Sequence, residues 1–137
     1  MREILFRGIC TETGDWETGF YVRLNGKEHR IYNGYAETDC GDYYPDFEQV
    51  APETLGMFTG LTDKNGTKIY EGDIAAYCWY KDEIMSFRID YVSGEFLAVP
   101  VKKREDVWAI RISGQGENLE VIGNIHDNPE LLEVNNG

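Results

Sequence analysis

The chain of 137 residues has 13 Lys or Arg against 25 Asp or Glu, a formal net charge of −12, and 42% hydrophobic residues. This length and hydrophobic content provide for one domain, or one domain with a small appendage, and exclude wholesale disorder. The negative charge repels nucleic-acid phosphates, which disfavours general nucleic-acid binding. No apolar run approaches the roughly 20 residues that cross a bilayer, and the charged start MREILFRG lacks the apolar segment of a signal peptide, so we expect a soluble, cytoplasmic protein.

The composition favours strands over helices. Aromatic residues make up 13% of the chain, and Gly occurs 15 times. Aromatic residues pack well on a pleated surface and Gly serves turns, so we predict a mainly β protein. Cys10, Cys40 and Cys78 are far apart and form no Cys-x-x-Cys pair, which predicts reduced thiols.

Residues 1–50 predict an N-terminal β-hairpin region and an acidic loop. A first strand over residues 3–10 is followed by a hairpin of residues 20–24 and 28–32, joined by the turn dipeptide Asn25-Gly26. Alternation in the hairpin predicts that Phe20, Val22 and Leu24 point inward. Residues 33–46 have no regular period and predict a long loop, which is the expected domain boundary.

Residues 51–137 predict a second region, a small β-barrel that ends in a helical turn. Short strands separated by turns occupy residues 57–126, a spacing typical of small barrels. The dipeptide Asn65-Gly66 predicts a type I′ hairpin, and further turns are expected at residues 81–82, 93–94 and 114–116. Near the end, Asn128 as N-cap and Pro129 as first helical residue predict a short helix through Leu132.

Three segments together resemble the YopX family of small phage and prophage proteins. They are MREILFRG at residues 1–8, TGLTDKNGTKIYEGDI at 59–74 and VIGNIHDNPELL at 121–132. The resemblance implies a C-terminal SH3-like barrel, a cytoplasmic location in a host bacterium, self-association in some members and no established activity. It supplies no catalytic residues. The matching positions serve as structural markers: Asn65, Gly66, Gly72, Asp73, Asn128 and Pro129.

The sequence offers little for catalysis, cofactors or metals. His29 and His126 are the only histidines, and no Ser or Cys stands in a nucleophile-elbow context, so we expect no enzyme activity and no cofactor. The acidic series Asp39, Asp42, Asp46 and Glu48 lacks the alternation and central Gly of a calcium loop. We interpret it as a solvated acidic loop.

Two groups of residues are candidates for interaction. Tyr35, Tyr43, Tyr44 and Phe47 lie among carboxylates, and aromatic residues are enriched at the centres of protein interfaces. The alternative is that they cover the barrel as a lid. The second group is the basic cluster Lys102, Lys103 and Arg104 with the nearby Trp108, which would contact nucleic acid.

We therefore expect a non-enzymatic phage or prophage accessory protein that binds a protein partner, such as a host factor, and forms homo-oligomers. One alternative is a small barrel that binds nucleic acid, an idea that rests on fold analogy. A second alternative is an acidic mimic of nucleic acid that occupies a basic host protein. A net charge of −12 permits mimicry, but acidity also serves solubility.

Overall fold

The computed structural model describes residues 3–80 and 82–133. The chain is mainly β, as its composition predicts, and its contacts divide it into two units, Met1–Phe58 and Thr59–Gly137. The turn expected at residues 81–82 includes Lys81, which lies outside the described residues. Among the described residues, no helix is long and apolar enough to span a membrane.

The first unit is an antiparallel sheet with the strand order β4-β3-β2-β1-β5. Strand β5 begins in this unit and continues in the second. The buried hydrophobic residues of the first unit are Cys10, Ile31, Val50 and Phe58. The strands are β1 (Phe6–Ile9), β2 (Trp16–Leu24), β3 (Glu28–Glu37), β4 (Tyr43–Gln49) and β5 (Gly56–Thr62).

The hairpin of β2 and β3 forms where the sequence predicts it, but its faces are reversed. Asn25 and Gly26 have φ of 52° and 67°, the positive values that the tight turn needs. Phe20 is 66% exposed, whereas Ile31 is fully buried. The register pairs Tyr21 with Ile31, so the buried face carries the other set of β2 residues. The prediction that Phe20 and Val22 point inward is therefore wrong.

Residues 33–46, predicted to be a long loop, belong mostly to strands β3 and β4. Only a short turn joins them, closed by the hydrogen bond from the Thr38 N–H to the Asp42 carbonyl at 2.7 Å. The register shifts by one residue at Asn33, between the pairs Tyr32–Phe47 and Gly34–Asp46. This bulge breaks the alternation of side chains, which is why the sequence pattern predicts no strand here.

The second unit contains the rest of β5 and a five-stranded antiparallel sheet of order β10-β9-β8-β7-β11. Ile69, Phe87, Ile89 and Leu119 are fully buried and form its core. Strand β6 (Lys68–Tyr70) is hydrogen-bonded to β5. The five strands of the sheet are β7 (Asp73–Tyr80), β8 (Glu83–Val92), β9 (Glu95–Pro100), β10 (Ile110–Arg111) and β11 (Leu119–Asn124).

The strand pairs of the described residues leave this sheet open, so the SH3-like barrel predicted over residues 57–126 is not confirmed. Strand β10 has only two residues and pairs with β9, while β11 pairs with β7 at the other edge. The strand predicted over residues 107–112 is only Ile110–Arg111 in the structure.

A 3-10 turn, Pro129–Leu132, forms near the end of the described residues in place of the predicted helix. The predicted N-cap residue, Asn128, does not cap this turn with its side chain. Its Oδ1 instead accepts a hydrogen bond from the Asn124 N–H at 3.2 Å. The side chain is therefore used to hold the preceding turn.

Candidate functional site

Strands β2 and β3 separate after the pair Phe20–Tyr32 and form a fork. Residues 16–19 of β2 pair with β1, whereas residues 34–37 of β3 pair with β4. We call the space between residues 16–19 and 33–37 the fork. The Asn33 Nδ2 donates a hydrogen bond to the Glu17 Oε2 at 3.1 Å and so joins its two arms.

A groove of about 410 Å³ lies at the fork. Two glycines on facing strands help to form it, because they leave the backbone uncovered. At Gly19 a Cβ atom would lie only 2.2 Å from the Tyr32 carbonyl oxygen, so a side chain there would break the close approach of the strands. The lining residues are Leu5, Thr18, Gly19, Phe20, Tyr32, Asn33, Gly34 and Tyr35.

Exposed aromatic side chains surround the groove on one face of the sheet. Tyr35 is 76% exposed, Tyr43 71% and Phe20 66%. Residues that pair across strands share a face, as do alternate residues along a strand. The pairs Phe20–Tyr32, Tyr32–Phe47, Tyr35–Pro45 and Glu37–Tyr43 therefore define one surface. We call it the aromatic face: Phe20, Tyr32, Tyr35, Tyr43 and Phe47.

The four predicted interaction residues are divided between the two faces of the hairpin. Tyr35, Tyr43 and Phe47 belong to the aromatic face, whereas Tyr44 pairs with Ala36 on the other side. The sequence prediction missed Phe20, because its place in an alternating strand suggested burial. The pairing of Phe20 with Tyr32 is what brings it to the aromatic face.

Arg30 lies at the inner end of the aromatic face. Its guanidinium is 4.0 Å from the centroid of the Phe47 ring, a cation–π contact. The hydrogen bond to Tyr32 raises the pKa of Arg30 above its ordinary value; desolvation opposes this and the Glu28 carboxylate adds to it. Arg30 is thus a fixed cation with its own anionic partner.

Strands β3 and β4 contribute no cation beyond Arg30, since no Lys or Arg occurs from residue 31 to residue 63. Glu37 pairs with Tyr43 and so belongs to the aromatic face. Glu48 lies on the other face, where its Oε2 accepts a hydrogen bond from the Cys10 Sγ at 3.5 Å. Among residues 3–80 and 82–133, no group of three or more His, Cys, Asp or Glu is arranged to hold a metal ion.

The basic cluster is partly neutralised by neighbouring carboxylates. The Arg104 guanidinium binds Asp106, with Nε and Oδ1 2.9 Å apart, and also Glu83. The hydrogen bonds to Asp106 and Glu83 raise the pKa of Arg104. The hydrogen bond from Arg104 lowers the pKa of Asp106. Lys102 and Lys103 are exposed, as is Trp108 at 66%. Lys102 and Arg104 line one groove, but Glu83 and Glu133 line it too, so the cations there face carboxylates.

The two histidines have structural contacts in different units. The His29 Nδ1 lies 2.6 Å from the Tyr21 Oη, and the two rings stack. The His126 N–H donates to the Asn124 Oδ1 at 3.0 Å. Each histidine therefore has its own local structural contact within its unit.

Polar residues of the long motifs hold the backbone of the second unit. Asp63 is buried and its carboxylate accepts hydrogen bonds from the N–H groups of Asn65, Thr67 and Val121. Burial favours a higher pKa for Asp63, but the hydrogen bonds outweigh it, so the pKa lies below its ordinary value. The Asp63 N–H also donates to the Thr67 carbonyl at 2.8 Å. Strands β5 and β6 form the predicted hairpin. Its turn runs from Asp63 to Thr67 and Asn65 has no positive φ, so the predicted two-residue type I′ turn is wrong.

Asp73 and Asn124 have similar roles. Asp73 is buried and accepts a hydrogen bond from the Tyr70 N–H at 2.8 Å. Asn124 is also buried, and its Oδ1 accepts from the N–H of His126 and of Asp127. An Asp or Asn directly before or after a turn was the sequence signal for these roles.

Comparisons with known proteins agree with this fold. The family model described as "YopX protein" matches residues 5–133. A solved structure, the crystal structure of protein EF1440 from Enterococcus faecalis, is similar with a TM-score of 0.60 and 25% sequence identity. The similarity covers 97% of this chain and 100% of that one. No curated protein matches the chain.

Proposed function

The chain belongs to the YopX family, and from that premise we propose that it is a non-enzymatic accessory protein of a phage or prophage that binds another protein. The binding surface in this proposal is the aromatic face together with the fork. The observation that carries it is the exposure of Tyr35, Tyr43 and Phe20 on one side of a single sheet. Exposed aromatic patches mark interaction sites, because their burial in a complex is favourable.

Other features support binding over catalysis. Asp63, Asp73 and Asn124 are the buried polar residues of the long motifs, and each accepts backbone hydrogen bonds. Their polar atoms therefore serve the fold. The aromatic face, in contrast, combines Tyr and Phe side chains with an acidic surround, a composition typical of the centre and rim of a protein interface.

The same surface accounts for the expected self-association. Two copies that cover each other's aromatic face would bury Tyr35 and Tyr43 without any change of fold. Light scattering at micromolar concentration measures this directly. A single species of 15.7 kDa would count against self-association but would leave binding of a different partner intact.

No specific observation favours the two alternatives. A nucleic-acid site would use Lys102, Lys103, Arg104 and Trp108, but Arg104 is bound to Asp106 and Glu83. Nucleic-acid mimicry would need carboxylates in a continuous stripe. Near the fork, Glu37 and Glu48 lie on opposite faces of β3 and β4.

Affinity capture with matched variants tests the proposal. We expect the double variant Tyr35→Ala/Tyr43→Ala to lose the captured partner, because both rings belong to the aromatic face. Their exposure means that the thermal midpoint should change little, in contrast to the roughly 3–5 kcal/mol that truncation of a buried aromatic costs.

Two variants serve as controls. Tyr44→Ala changes the neighbouring residue on the opposite face, and Trp108→Ala removes an exposed aromatic from the second unit. Both should retain capture. Capture that survives Tyr35→Ala/Tyr43→Ala, or that is lost only with Trp108→Ala, would refute the proposed surface.

A further inference from the structure

We propose that the fork accepts an extended, arginine- or lysine-rich segment of a partner polypeptide. This inference rests on the proposed function and adds the chemical class of the ligand. It is carried by three features: the direction of the backbone groups at the fork, the aromatic rings beside the groove, and the charge around it.

The backbone of β3 at the fork faces away from β4. The Thr38 N–H donates to the Asp42 carbonyl, which marks a hydrogen-bonded pair. Hydrogen-bonded and non-hydrogen-bonded pairs alternate along an antiparallel ladder. Counting back from Thr38, the pair Tyr35–Pro45 is therefore non-hydrogen-bonded. The N–H and carbonyl of Tyr35 therefore point towards the fork.

The facing strand presents a matching edge. The Cys10 N–H donates to the Asp15 carbonyl at 2.8 Å, so these two residues form a hydrogen-bonded pair. Pairs alternate in kind from there, so Arg7–Thr18 is non-hydrogen-bonded and the Thr18 N–H and carbonyl point away from β1. Thr18 and Tyr35 both line the groove. An extended segment that displaces the Asn33–Glu17 hydrogen bond would thus meet strand edges on two sides, as in recognition by strand addition.

The rings beside the groove suit flat cations. Phe20 and Tyr35 are both lining residues and both largely exposed. Guanidinium groups stack on such rings, and the first unit already contains two examples. Arg30 lies over Phe47, and Arg7 lies over Trp16 at 4.7 Å from the ring centroid.

The charge around the fork favours a cationic ligand. Glu17 lies on one arm, where it holds Asn33, and Glu37 is on the aromatic face. Two arginines also adjoin lining residues, but Arg7 lies over Trp16 and Arg30 is paired with Glu28. Asp39 and Asp42 lie in or beside the turn that joins β3 to β4, and no Lys or Arg occurs from residue 31 to residue 63. Complementary charge selects partners and speeds their association, so a basic segment is favoured over an acidic one.

Fluorescence polarisation with synthetic peptides tests the inference on the full chain. The probe is a labelled peptide that alternates arginine and valine, and its controls carry glutamine or glutamate in place of arginine. We expect the arginine peptide to bind, the glutamine peptide to bind about tenfold more weakly, and the glutamate peptide not to bind. Added salt should weaken binding.

Variants and a modified peptide separate the fork from general attraction to an acidic protein. Tyr35→Ala should weaken binding about tenfold, whereas Tyr44→Ala should leave it unchanged. A peptide with the same side chains but N-methylated at alternate residues should bind about tenfold more weakly, because it cannot pair with the strand edges.

Each failure has a distinct meaning. If the glutamine peptide binds as tightly as the arginine peptide and Tyr35→Ala weakens both, the fork binds polypeptide but the cationic class is wrong. Undiminished binding by Tyr35→Ala, or no binding of the arginine peptide, overturns the inference. The proposed function is then decided separately by affinity capture with Tyr35→Ala/Tyr43→Ala.

Discussion

Tyr35 lies directly opposite Pro45 in the register of β3 and β4. The two form a non-hydrogen-bonded pair, so the Pro45 nitrogen, which has no hydrogen, faces the outer edge of β4 rather than β3. Proline at an outer edge hinders the addition of another strand. The same pairing turns the backbone of Tyr35 towards the fork. The pair therefore protects the outer edge of β4 and leaves the edge of β3 at the fork open to a ligand.

Replacement of Pro45 should expose the edge of β4. Pro45→Thr restores an N–H group there and introduces a residue that favours strands, so we expect more self-association than in the wild type. Light scattering at increasing concentration measures the change. Gln49→Thr is the control, because it leaves the pattern of N–H groups intact. If Pro45→Thr and the wild type have the same particle mass at every concentration, Pro45 does not protect the edge of β4.

Gly19→Ala should disturb the base of the fork. Its Cβ would lie 2.2 Å from the Tyr32 carbonyl oxygen, and overpacking of this kind typically costs about 1–3 kcal/mol. Hydrogen exchange should show faster exchange at the Phe20 and Tyr32 amides. Gly14→Ala is the control for backbone strain alone, because Gly14 has a positive φ of 77° but nothing lies within 4 Å of its added Cβ. Equal exchange at Tyr32 in both variants would show that the close approach is unimportant.

Asp63→Asn should destabilise the second unit. The carboxylate accepts hydrogen bonds from Asn65, Thr67 and Val121, the last 58 residues away in sequence. An amide offers one oxygen and leaves a buried N–H group without its acceptor, at a cost of about 1–3 kcal/mol. Urea unfolding of wild type and variant measures this loss. An unchanged midpoint would mean that water replaces the lost acceptor.

The same carboxylate gives a pH dependence of known sign. Its pKa in the folded state lies below the ordinary value of 3.8, so its contribution is fully present above that value. The contribution is lost as the pH falls below 3.8 and through the folded pKa. We expect unfolding free energy to fall in this window for the wild type, and to fall less steeply for Asp63→Asn. If the unfolding free energies of the wild type and Asp63→Asn fall in parallel with pH, Asp63 is not the source of this pH dependence.

Nucleic acid should not bind appreciably. Arg104 is already bound to Asp106 and Glu83, and the net charge of −12 repels phosphates. Polarisation with labelled DNA and RNA at low salt, where phosphate contacts are strongest, should show no binding. Binding that disappears in Lys102→Ala/Lys103→Ala would instead establish the basic cluster as a nucleic-acid site.

The sequence predicts the β class and several turns because these depend on local chemistry. Asn25 and Gly26 show this, since both take the positive φ values that their residue types favour. The same dipeptide at Asn65-Gly66 does not, because the Asp63 carboxylate holds a longer turn there. The exposed side of Phe20 was not predictable, because alternation identifies two faces but not which one the rest of the fold covers. The bulge at Asn33 concealed β3 and β4 for a related reason, since it interrupts the alternation.

The central claim is that the fork and the aromatic face contact another protein. Photo-crosslinking tests this most directly, with benzoylphenylalanine in place of Tyr35 and, as a control in the second unit, in place of Trp108. Irradiation of cells that naturally produce the chain should yield polypeptide adducts from position 35, with few or none from position 108. Adducts from position 108 alone would contradict the account.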